Sequence, residues 1–166
     1  MAASTCLPLL IVFDLDYTLW PFWVDTHVQP PFRKQGDKIV DAHGDVIKHY
    51  KDSPAILKRL HDQGIKIGVA SRTSAITPAK QLVDLFGWKK YISYTQIYPG
   101  SKIPHFKAIQ KESGIDYSQM IFFDDEHRNI RDISTLGVFC VDVPNGMSMK
   151  LLEDSLKQFE QRCKEL

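Results

Sequence analysis

The sequence has few cysteines, and none of them lies close to another. Three occur, at Cys6, Cys140 and Cys163, without a Cys-x-x-Cys pair or a cysteine–histidine motif. Zinc sites and the disulfide frameworks of small secreted domains are recognised by close, repeated cysteine spacings, so the pattern favours neither. We therefore expect three reduced thiols in a cytoplasmic protein.

Long apolar runs and an excess of one charge are also missing. No segment approaches the roughly 18 consecutive apolar residues of a membrane span. The stretch before Asp14 is apolar, but it lacks the positively charged start of a signal peptide and runs straight into that acid. With 21 basic and 20 acidic residues the net charge is +1, and no basic cluster occurs. We expect a monomer with no membrane and no nucleic-acid partner.

Short apolar runs alternate with segments of helical spacing along the whole chain. The run before Asp14 shows no polar alternation, which is typical of a parallel strand covered on both faces. The predicted strands end at Phe13, Ala70, Tyr94, Phe123 and Val141. This order predicts one α/β domain over 1–166, a three-layer α/β/α sandwich around a mainly parallel, five-stranded sheet.

The segment after the first strand carries prolines instead of helix signals. Residues 38–50 are typical of a hairpin with a turn at His43-Gly44-Asp45. We expect residues 21–52 to form a small β-hairpin flap over the strand ends, too short for an independent cap domain. The first helix is predicted to begin at Ser53-Pro54, with the Ser53 hydroxyl as its N-cap.

Acidic side chains follow two of the predicted strands. Asp14 and Asp16 follow the first strand, and Asp124-Asp125 follows the fourth. Ligands of open α/β sheets bind beyond the carboxyl ends of the strands. Carboxylates that meet there repel one another unless a cation joins them, and Mg²⁺ takes one or two carboxylates alongside a substrate phosphate. The sequence therefore predicts a Mg²⁺ cofactor at this edge.

The pattern Asp14-Leu15-Asp16-Tyr17-Thr18 resembles the first motif of the haloacid dehalogenase (HAD) superfamily of aspartyl-phosphate phosphotransferases. Three later stretches resemble the remaining motifs in the same order, so the resemblance covers about the whole chain. The stretches Phe13–Trp23 and Phe122–Asn129 are most similar to the small, cap-less eukaryotic magnesium-dependent phosphatases of that superfamily. The resemblance implies a Rossmann-like sheet with strand order 3-2-1-4-5.

The resemblance also implies roles for the residues of the first motif. Asp14 would be the nucleophile that forms an aspartyl-phosphate. Asp16 would donate a proton to the leaving oxygen and later take one from water. Among the metal ligands would be the Asp14 carboxylate and the Asp16 backbone carbonyl.

The later motifs assign phosphate-binding and metal-binding candidates. Ser71 would hydrogen-bond the phosphoryl oxygens, although a helix N-cap is its alternative role. Arg72 is either a clamp for phosphate or substrate or a solvated charge. We expect Lys102, rather than Lys107, to reach the nucleophile and the phosphate.

The paired acids of the fourth motif leave one question open. We favour Asp125 as the direct Mg²⁺ ligand and expect Asp124 to act through water or to steady Lys102, but the sequence alone does not decide between them. Asn129 is interpreted as structural. The six histidines show no metal-ligand spacing, and only His127 is expected near the site.

These motifs predict a magnesium-dependent phosphatase of phosphate monoesters. The resemblance implies protein phosphotyrosine or sugar phosphates, such as fructosamine 6-phosphates, as substrates. The alternatives are a receiver-like phospho-aspartate signalling module, which the motif order disfavours, and a small-metabolite phosphatase. We expect an open site whose rim consists of Trp20, Phe22, Trp23 and the flap, with Trp20 as a substrate contact, although core packing is the alternative role of these aromatics.

Overall fold

The computed structural model describes residues 6–165. Residues 1–5 and 166 of the predicted domain lie outside the described residues. The elements in chain order are β1 (Leu10–Phe13), β2 (Arg33–Gln35), β3 (Lys38–Val40), β4 (Val46–Ile47), α1 (Ser53–Asp62), β5 (Lys66–Ser71), α2 (Ile76–Leu85), β6 (Tyr94–Ile97), α3 (Lys102–Ser113), β7 (Met120–Asp124), α4 (His127–Ser134), β8 (Phe139–Asp142) and α5 (Met149–Lys164). No described helix is both long enough and apolar enough to cross a membrane.

The central sheet contains five parallel strands in the order β6-β5-β1-β7-β8. Counted along the chain, this is the implied order 3-2-1-4-5, which is confirmed. Phe13 pairs in register with Val69 of β5 and with Phe123 of β7. The ends of these three strands therefore lie side by side, which is the arrangement that creates a ligand crevice in open α/β sheets.

Two helical layers cover the sheet, as the unbroken apolar run of β1 predicts. Alternate residues of β1 face opposite sides. Ile11 and Phe13 belong to the larger apolar cluster, which includes side chains of α1, α2 and α5. Leu10 and Val12 belong to a second cluster with side chains of α3 and α4. The three-layer α/β/α prediction is confirmed.

A small antiparallel sheet lies between β1 and α1 in the sequence. Its order is β2-β3-β4, so the predicted hairpin is present and β2 adds a strand that the sequence analysis missed. Ile39 and Ile47 bury one face of it against the main core. The exposed, polar stretch Arg33–Gln35 gives no periodic signal, which explains the omission.

Asp41 binds the backbone of the turn between β3 and β4 and of the segment before β2. Its carboxylate accepts hydrogen bonds from the backbone N–H groups of Gln29, His43 and Asp45 at 3.2, 3.0 and 3.0 Å. Burial acts to raise the pKa of Asp41, but the three N–H donors outweigh burial and hold it below its usual range.

Two local predictions are corrected. The third parallel strand was expected at Tyr91–Tyr94, but Lys89–Tyr91 forms a 3-10 turn and the strand is Tyr94–Ile97. Its central residues, Thr95 and Gln96, are polar and pair with β5 at the sheet edge. Ser53 is not the N-cap of α1. Its hydroxyl donates to the Leu19 carbonyl at 2.8 Å, and Asp52 occupies the cap position.

The expectation of three reduced thiols is wrong for two of the cysteines. Cys6 and Cys163 form a disulfide between residues 157 positions apart, with their Cα atoms separated by 6.4 Å. Cys140 is free. The pairing joins the segment before β1 to the last turn of α5, and these come together only when the chain is folded. The cytoplasmic location stays a prediction.

Candidate active site

The carboxyl ends of β1, β5 and β7 surround a cavity of about 250 Å³. The Asp14 N–H donates to the Phe123 carbonyl at 3.0 Å, which extends the β1–β7 pairing by one residue and brings Asp14 beside Asp124. The cavity is lined by Asp14, Asp16, Trp23, Asp25, Thr26, Ser71, Arg72, Thr73, Lys102, Asp125, Glu126 and Asn129. The structure therefore gathers residues from all four predicted motifs at one edge of the sheet.

Three carboxylates converge at this edge. Asp14, Asp124 and Asp125 each offer an oxygen atom within 4.8 Å of the others. Burial, followed by a hydrogen bond to Asp14 and the nearby carboxylate charges, raises the pKa of Asp125 to about 9. Its Oδ1 is buried and has no hydrogen-bond partner among the described residues. A set of oxygen donors with one unpartnered oxygen fits a hard cation such as Mg²⁺.

Lys102 connects two of these acids from the first position of α3. Its Nζ lies 2.9 Å from Asp14 Oδ1 and 2.6 Å from Asp124 Oδ2, and only 1% of the side chain is exposed. Burial opposes the charged form, but the attraction of Asp14 and Asp124 outweighs it and raises the pKa of Lys102. Lys107 is exposed on the same helix. Of the two lysine candidates, Lys102 is the one in the site.

Asp124 has protein partners on both carboxylate oxygens. Oδ2 accepts from Lys102 and, at 3.0 Å, from Asn129 Nδ2, whereas Oδ1 accepts from the Glu126 N–H at 2.8 Å. Asp124 is completely buried and does not line the cavity, in contrast to Asp125.

Asp16 is held by the segment that follows it. Trp20 Nε1 donates to Asp16 Oδ1 at 2.8 Å, and the Val24 N–H donates to the same oxygen at 3.1 Å. Burial, aided by the Asp14 charge, raises the pKa of Asp16 to about 6 although both hydrogen bonds act to lower it. Tyr17, which lies between Asp16 and Thr18, has a left-handed backbone with φ of 57°. Strained conformations of this kind cluster at functional sites.

The rim prediction is corrected for Trp20, Phe22 and the hairpin of residues 38–50. Trp20 is completely buried and stacks on Phe22 and Trp88, so it cannot contact a substrate. Among the described residues, none of β2, β3 or β4 lines the cavity. Trp23, which is 49% exposed, is the aromatic residue at the rim.

Ser71, the last residue of β5, and Arg72, which follows it, also line the cavity. Ser71 is almost completely buried, and its hydroxyl accepts from the Thr73 N–H at 3.3 Å. Arg72 forms a long ion pair of 3.8 Å with Glu126. Its Nε is buried and has no partner among the described residues.

Sequence reasoning interpreted Asn129 as structural and assigned no role to the buried His105. Asn129 lines the cavity, and its Oδ1 has no partner among the described residues; its position five residues after Asp124, in the first turn of a helix, was the available signal. His105 contacts the Ser71 carbonyl at 3.0 Å. The sequence holds no signal for it beyond its position three residues after Lys102. His127, by contrast, is exposed and pairs with Asp142 at 3.3 Å.

Comparison with known proteins assigns the family. The acid phosphatase family matches residues 6–162. The chain belongs to the acid phosphatase family. It is 54% identical over 154 residues to the human protein named magnesium-dependent phosphatase 1, covering 92% of this chain and 88% of the relative. It is 43% identical over 164 residues to a HAD-like hydrolase superfamily protein of Schizosaccharomyces pombe, covering 92% and 95%.

Solved structures share the fold of this acid phosphatase family member. A HAD-superfamily hydrolase from Ehrlichia chaffeensis superimposes with a TM-score of 0.67 at 10% identity, covering 94% of this chain and 99% of that one. The N-terminal part of a Bacteroides fragilis protein, which contains a phosphatase domain complexed with Mg, gives 0.64 at 18% identity, covering 93% of this chain and 41% of that one. The predicted resemblance to the HAD superfamily is confirmed. The prediction of a phosphatase is confirmed at the level of the family.

Proposed function

We propose that the protein is a magnesium-dependent phosphatase that hydrolyses phosphate monoesters through an aspartyl-phosphate on Asp14. The observation that carries the proposal is the ammonium group of Lys102, which lies 2.9 Å from Asp14 Oδ1 and 2.6 Å from Asp124 Oδ2 beside the unpartnered oxygen of Asp125. Phosphoryl transfer requires an in-line nucleophile and fixed positive charge around the phosphoryl oxygens. The relatives named magnesium-dependent phosphatases support the same conclusion.

Asp14 is the nucleophile in this mechanism. Lys102 occupies its Oδ1, while Thr18 Oγ1 donates to its Oδ2 at 3.3 Å. The two contacts fix the orientation of the carboxylate. One of its oxygens attacks phosphorus as the bond from phosphorus to the ester oxygen breaks.

Mg²⁺ fits the same cluster. Asp14 and Asp125 would supply carboxylate oxygens and Asp16 its backbone carbonyl. Asp125 is the better direct ligand because Asp124 already has protein partners on both oxygens. When bound, the ion neutralises charge on the phosphoryl oxygens and lowers the repulsion among the acids.

Asp16 moves the protons. Its carboxyl group gives a proton to the departing ester oxygen, and the resulting carboxylate later takes a proton from the water that attacks the aspartyl-phosphate. This second step releases inorganic phosphate and restores Asp14. Burial of Asp16, which raises its pKa to about 6, leaves both protonation states accessible near neutral pH, as a group acting as acid and then base requires.

Ser71 and Arg72 complete the phosphate site. The Ser71 hydroxyl, which accepts the Thr73 N–H, still has its own hydrogen to donate to a phosphoryl oxygen. Arg72 also lines the cavity, and its unpartnered Nε supplies a further donor. Charge-assisted hydrogen bonds from guanidinium to phosphate are stronger than neutral ones.

The proposed substrates are phosphate esters presented on larger molecules, namely phosphotyrosine in proteins or sugar phosphates such as fructosamine 6-phosphates on protein amines. The small volume of the cavity, about 250 Å³, holds a phosphoryl group with little of its carrier. Trp23 at the rim packs edge-on against Tyr17 and stacks on His27, with ring centroids 5.7 and 5.2 Å apart. This exposed aromatic face supports stacking on a tyrosine ring or a sugar.

Steady-state assays test the proposal. The purified protein should hydrolyse 4-nitrophenyl phosphate, a phosphotyrosine peptide and a fructosamine 6-phosphate peptide with Mg²⁺, and chelation should abolish hydrolysis until Mg²⁺ is restored. Asp14→Asn should be inactive while Lys107→Ala remains active. Hydrolysis by Asp14→Asn would contradict the mechanism. A stable phosphorylated Asp14 without turnover would instead support a receiver-like signalling module, and turnover confined to small metabolites would support a metabolite phosphatase.

A further inference from the structure

A buried imidazole lies between the end of β5 and the loop that carries Lys102. His105 on α3 is completely buried. Its Nε2 lies 3.0 Å from the carbonyl oxygen of Ser71 and 2.8 Å from that of Tyr98, and its Nδ1 lies 3.0 Å from that of Ser101. One ring therefore contacts three main-chain acceptors on two segments of the chain.

Both segments carry groups of the site. Ser71 lines the cavity, and Ser101 immediately precedes Lys102 and caps its helix by accepting the Ile103 N–H at 3.2 Å. The Tyr98 N–H also donates to the Ser71 carbonyl, at 3.1 Å. His105 thus contacts the backbone of the phosphate-binding strand end and the backbone that aims the Lys102 ammonium group, without touching the reacting atoms.

The orientation of the imidazole is itself fixed. The Tyr98 ring stacks on it with centroids 4.1 Å apart and planes inclined by 18°. The Tyr98 hydroxyl donates to Gln96 Oε1 at 2.8 Å, which anchors the stacking partner. A ring held in this way keeps its nitrogens directed at the carbonyl oxygens.

Carbonyl oxygens only accept hydrogen bonds, so an imidazole nitrogen that faces one must carry a hydrogen for the contact to be favourable. A neutral ring with hydrogen on Nε2 satisfies the contacts to Ser71 and Tyr98, and a protonated ring also satisfies the contact to Ser101. Burial, aided by the Lys102 charge, lowers the pKa of His105 although the three carbonyls act to raise it. The bridge between Ser71 and Tyr98 is available in both states.

We propose that His105 is a positioning residue for the phosphatase reaction, which holds Ser71 and Lys102 in place relative to Asp14 by donating from Nε2 to the main-chain carbonyls of Ser71 and Tyr98. The inference rests on the proposed function. Without the imidazole, the carbonyls of Ser71 and Tyr98 lose this donor and the two segments lose their shared contact.

Two substitutions test the role. His105→Phe keeps a ring against Tyr98 but has no donor, whereas His105→Gln keeps one amide donor. We expect His105→Phe to lower kcat for 4-nitrophenyl phosphate by about 10- to 100-fold, the usual effect of losing a supporting hydrogen bond around a site, with a smaller change in KM. His105→Gln should recover part of the loss. Lys107→Ala, which changes an exposed side chain of the same helix, is the control and should keep kcat close to wild type.

A double-mutant cycle separates positioning from general destabilisation. If His105 acts partly through Ser71, then His105→Phe should cost several-fold less in the Ser71→Ala background than in the wild type, because coupled residues are not additive. Equal costs in both backgrounds, or a folded His105→Phe protein with wild-type kcat, would overturn the proposal. If His105→Phe does not fold, the same cycle with His105→Gln decides.

Amide hydrogen exchange gives a readout that does not depend on activity. Exchange of the Thr73 and Ile103 amides should accelerate in His105→Gln relative to the wild type, whereas amides of β8 should not change. Unchanged exchange at Thr73 and Ile103 would overturn the positioning role even if the wild-type protein hydrolysed no phosphate ester. Absence of Mg²⁺-dependent hydrolysis by the wild type, with accelerated exchange in the variant, would overturn the proposed function alone.

Discussion

Trp20 donates a 2.8 Å hydrogen bond to Asp16 Oδ1 from an indole ring that is completely buried. The ring stacks on Phe22 and Trp88, with centroids 5.3 and 6.1 Å away. A core side chain thus fixes the orientation of the proposed acid and base. This arrangement gives Trp20 a role in positioning Asp16 in place of the substrate contact predicted from the sequence.

Trp20→Phe should impair proton donation to the leaving group. The substitution keeps an aromatic ring but removes the donor to Asp16. We expect kcat to fall by about 10-fold or more for an alkyl phosphate, whose leaving oxygen needs a proton, and by less for 4-nitrophenyl phosphate, whose leaving group needs little help. Phe22→Leu changes the same aromatic stack without touching Asp16 and should not discriminate between the two substrates. Equal losses on both substrates in Trp20→Phe would contradict the role.

Lys102→Met should remove most of the catalytic rate. The substitution deletes the buried charge that lies between Asp14 and Asp124. We expect kcat to fall by roughly 100- to 1,000-fold, the size of effect seen when a fixed electrostatic contact to a transition state is lost. The exposed Lys107 on the same helix provides the control, because Lys107→Met should leave kcat unchanged. Similar rates for the two variants would show that the charge of Lys102 is dispensable.

The positions of the principal acids and Lys102 could be predicted because they depend on local order in the chain. Asp14 and Asp124 each follow an unbroken apolar strand, and parallel strands in register bring such residues to one edge. Lys102 follows a proline–glycine loop before a helix, so its placement also has a local signal.

The remaining features depend on contacts between segments that are distant in the sequence. Trp20 is buried because Phe86 and Trp88, which follow the end of α2, pack against it. The Cys6–Cys163 pair joins the two ends of the described chain. His105 has its role only because β5 ends beside α3. No periodicity or motif in the sequence predicts these contacts.

The small antiparallel sheet should respond to pH through Asp41. The pKa of Asp41 lies below its ordinary value of 3.8 because three backbone N–H groups favour the carboxylate over the opposing effect of burial. The group therefore stabilises the folded state above pH 3.8, and this contribution is lost as the pH falls through the lower pKa of the folded state.

Asp41→Asn should lower the urea midpoint of unfolding at pH 7. The difference from wild type should shrink as the pH is lowered below about 4, where the carboxyl group of the unfolded chain becomes protonated. Asp37→Asn, in the exposed turn between β2 and β3, is a suitable control. A midpoint difference that stays constant with pH would exclude the carboxylate as its source.

The Cys6–Cys163 disulfide should stabilise the fold without affecting turnover. A link between residues 157 positions apart restricts the unfolded chain strongly, and losing a native disulfide typically costs about 2–5 kcal/mol. Cys6→Ser should lower the free energy of unfolding by an amount in that range, whereas Cys140→Ser should have a smaller effect. Cys6 precedes β1, whereas the proposed active site lies beyond the carboxyl end of β1. We therefore expect kcat to stay unchanged. Equal stability of Cys6→Ser and wild type under oxidising conditions would contradict the pairing.

Trp23→Ala should change the ranking of substrates more than it changes the chemistry. The side chain is 49% exposed, lines the cavity rim and makes no hydrogen bond to the acids, although the Val24 N–H beside it holds Asp16 at 3.1 Å. An aromatic face in this position contributes by stacking on the peptide or sugar that carries the phosphate and extends past the rim. The small substrate 4-nitrophenyl phosphate makes least use of this contact. We expect kcat/KM for a phosphotyrosine peptide to fall by about 10-fold, which corresponds to the loss of about 1.4 kcal/mol of transition-state binding.

Two further variants serve as controls for this prediction. Trp23→Phe should restore most of the lost kcat/KM, since a ring remains. Thr26→Ala changes the same rim without removing a ring. If Trp23→Ala lowered the rates of all substrates by the same factor, the residue would act on Asp16 through the Val24 backbone, and the open aromatic rim would not select the substrate.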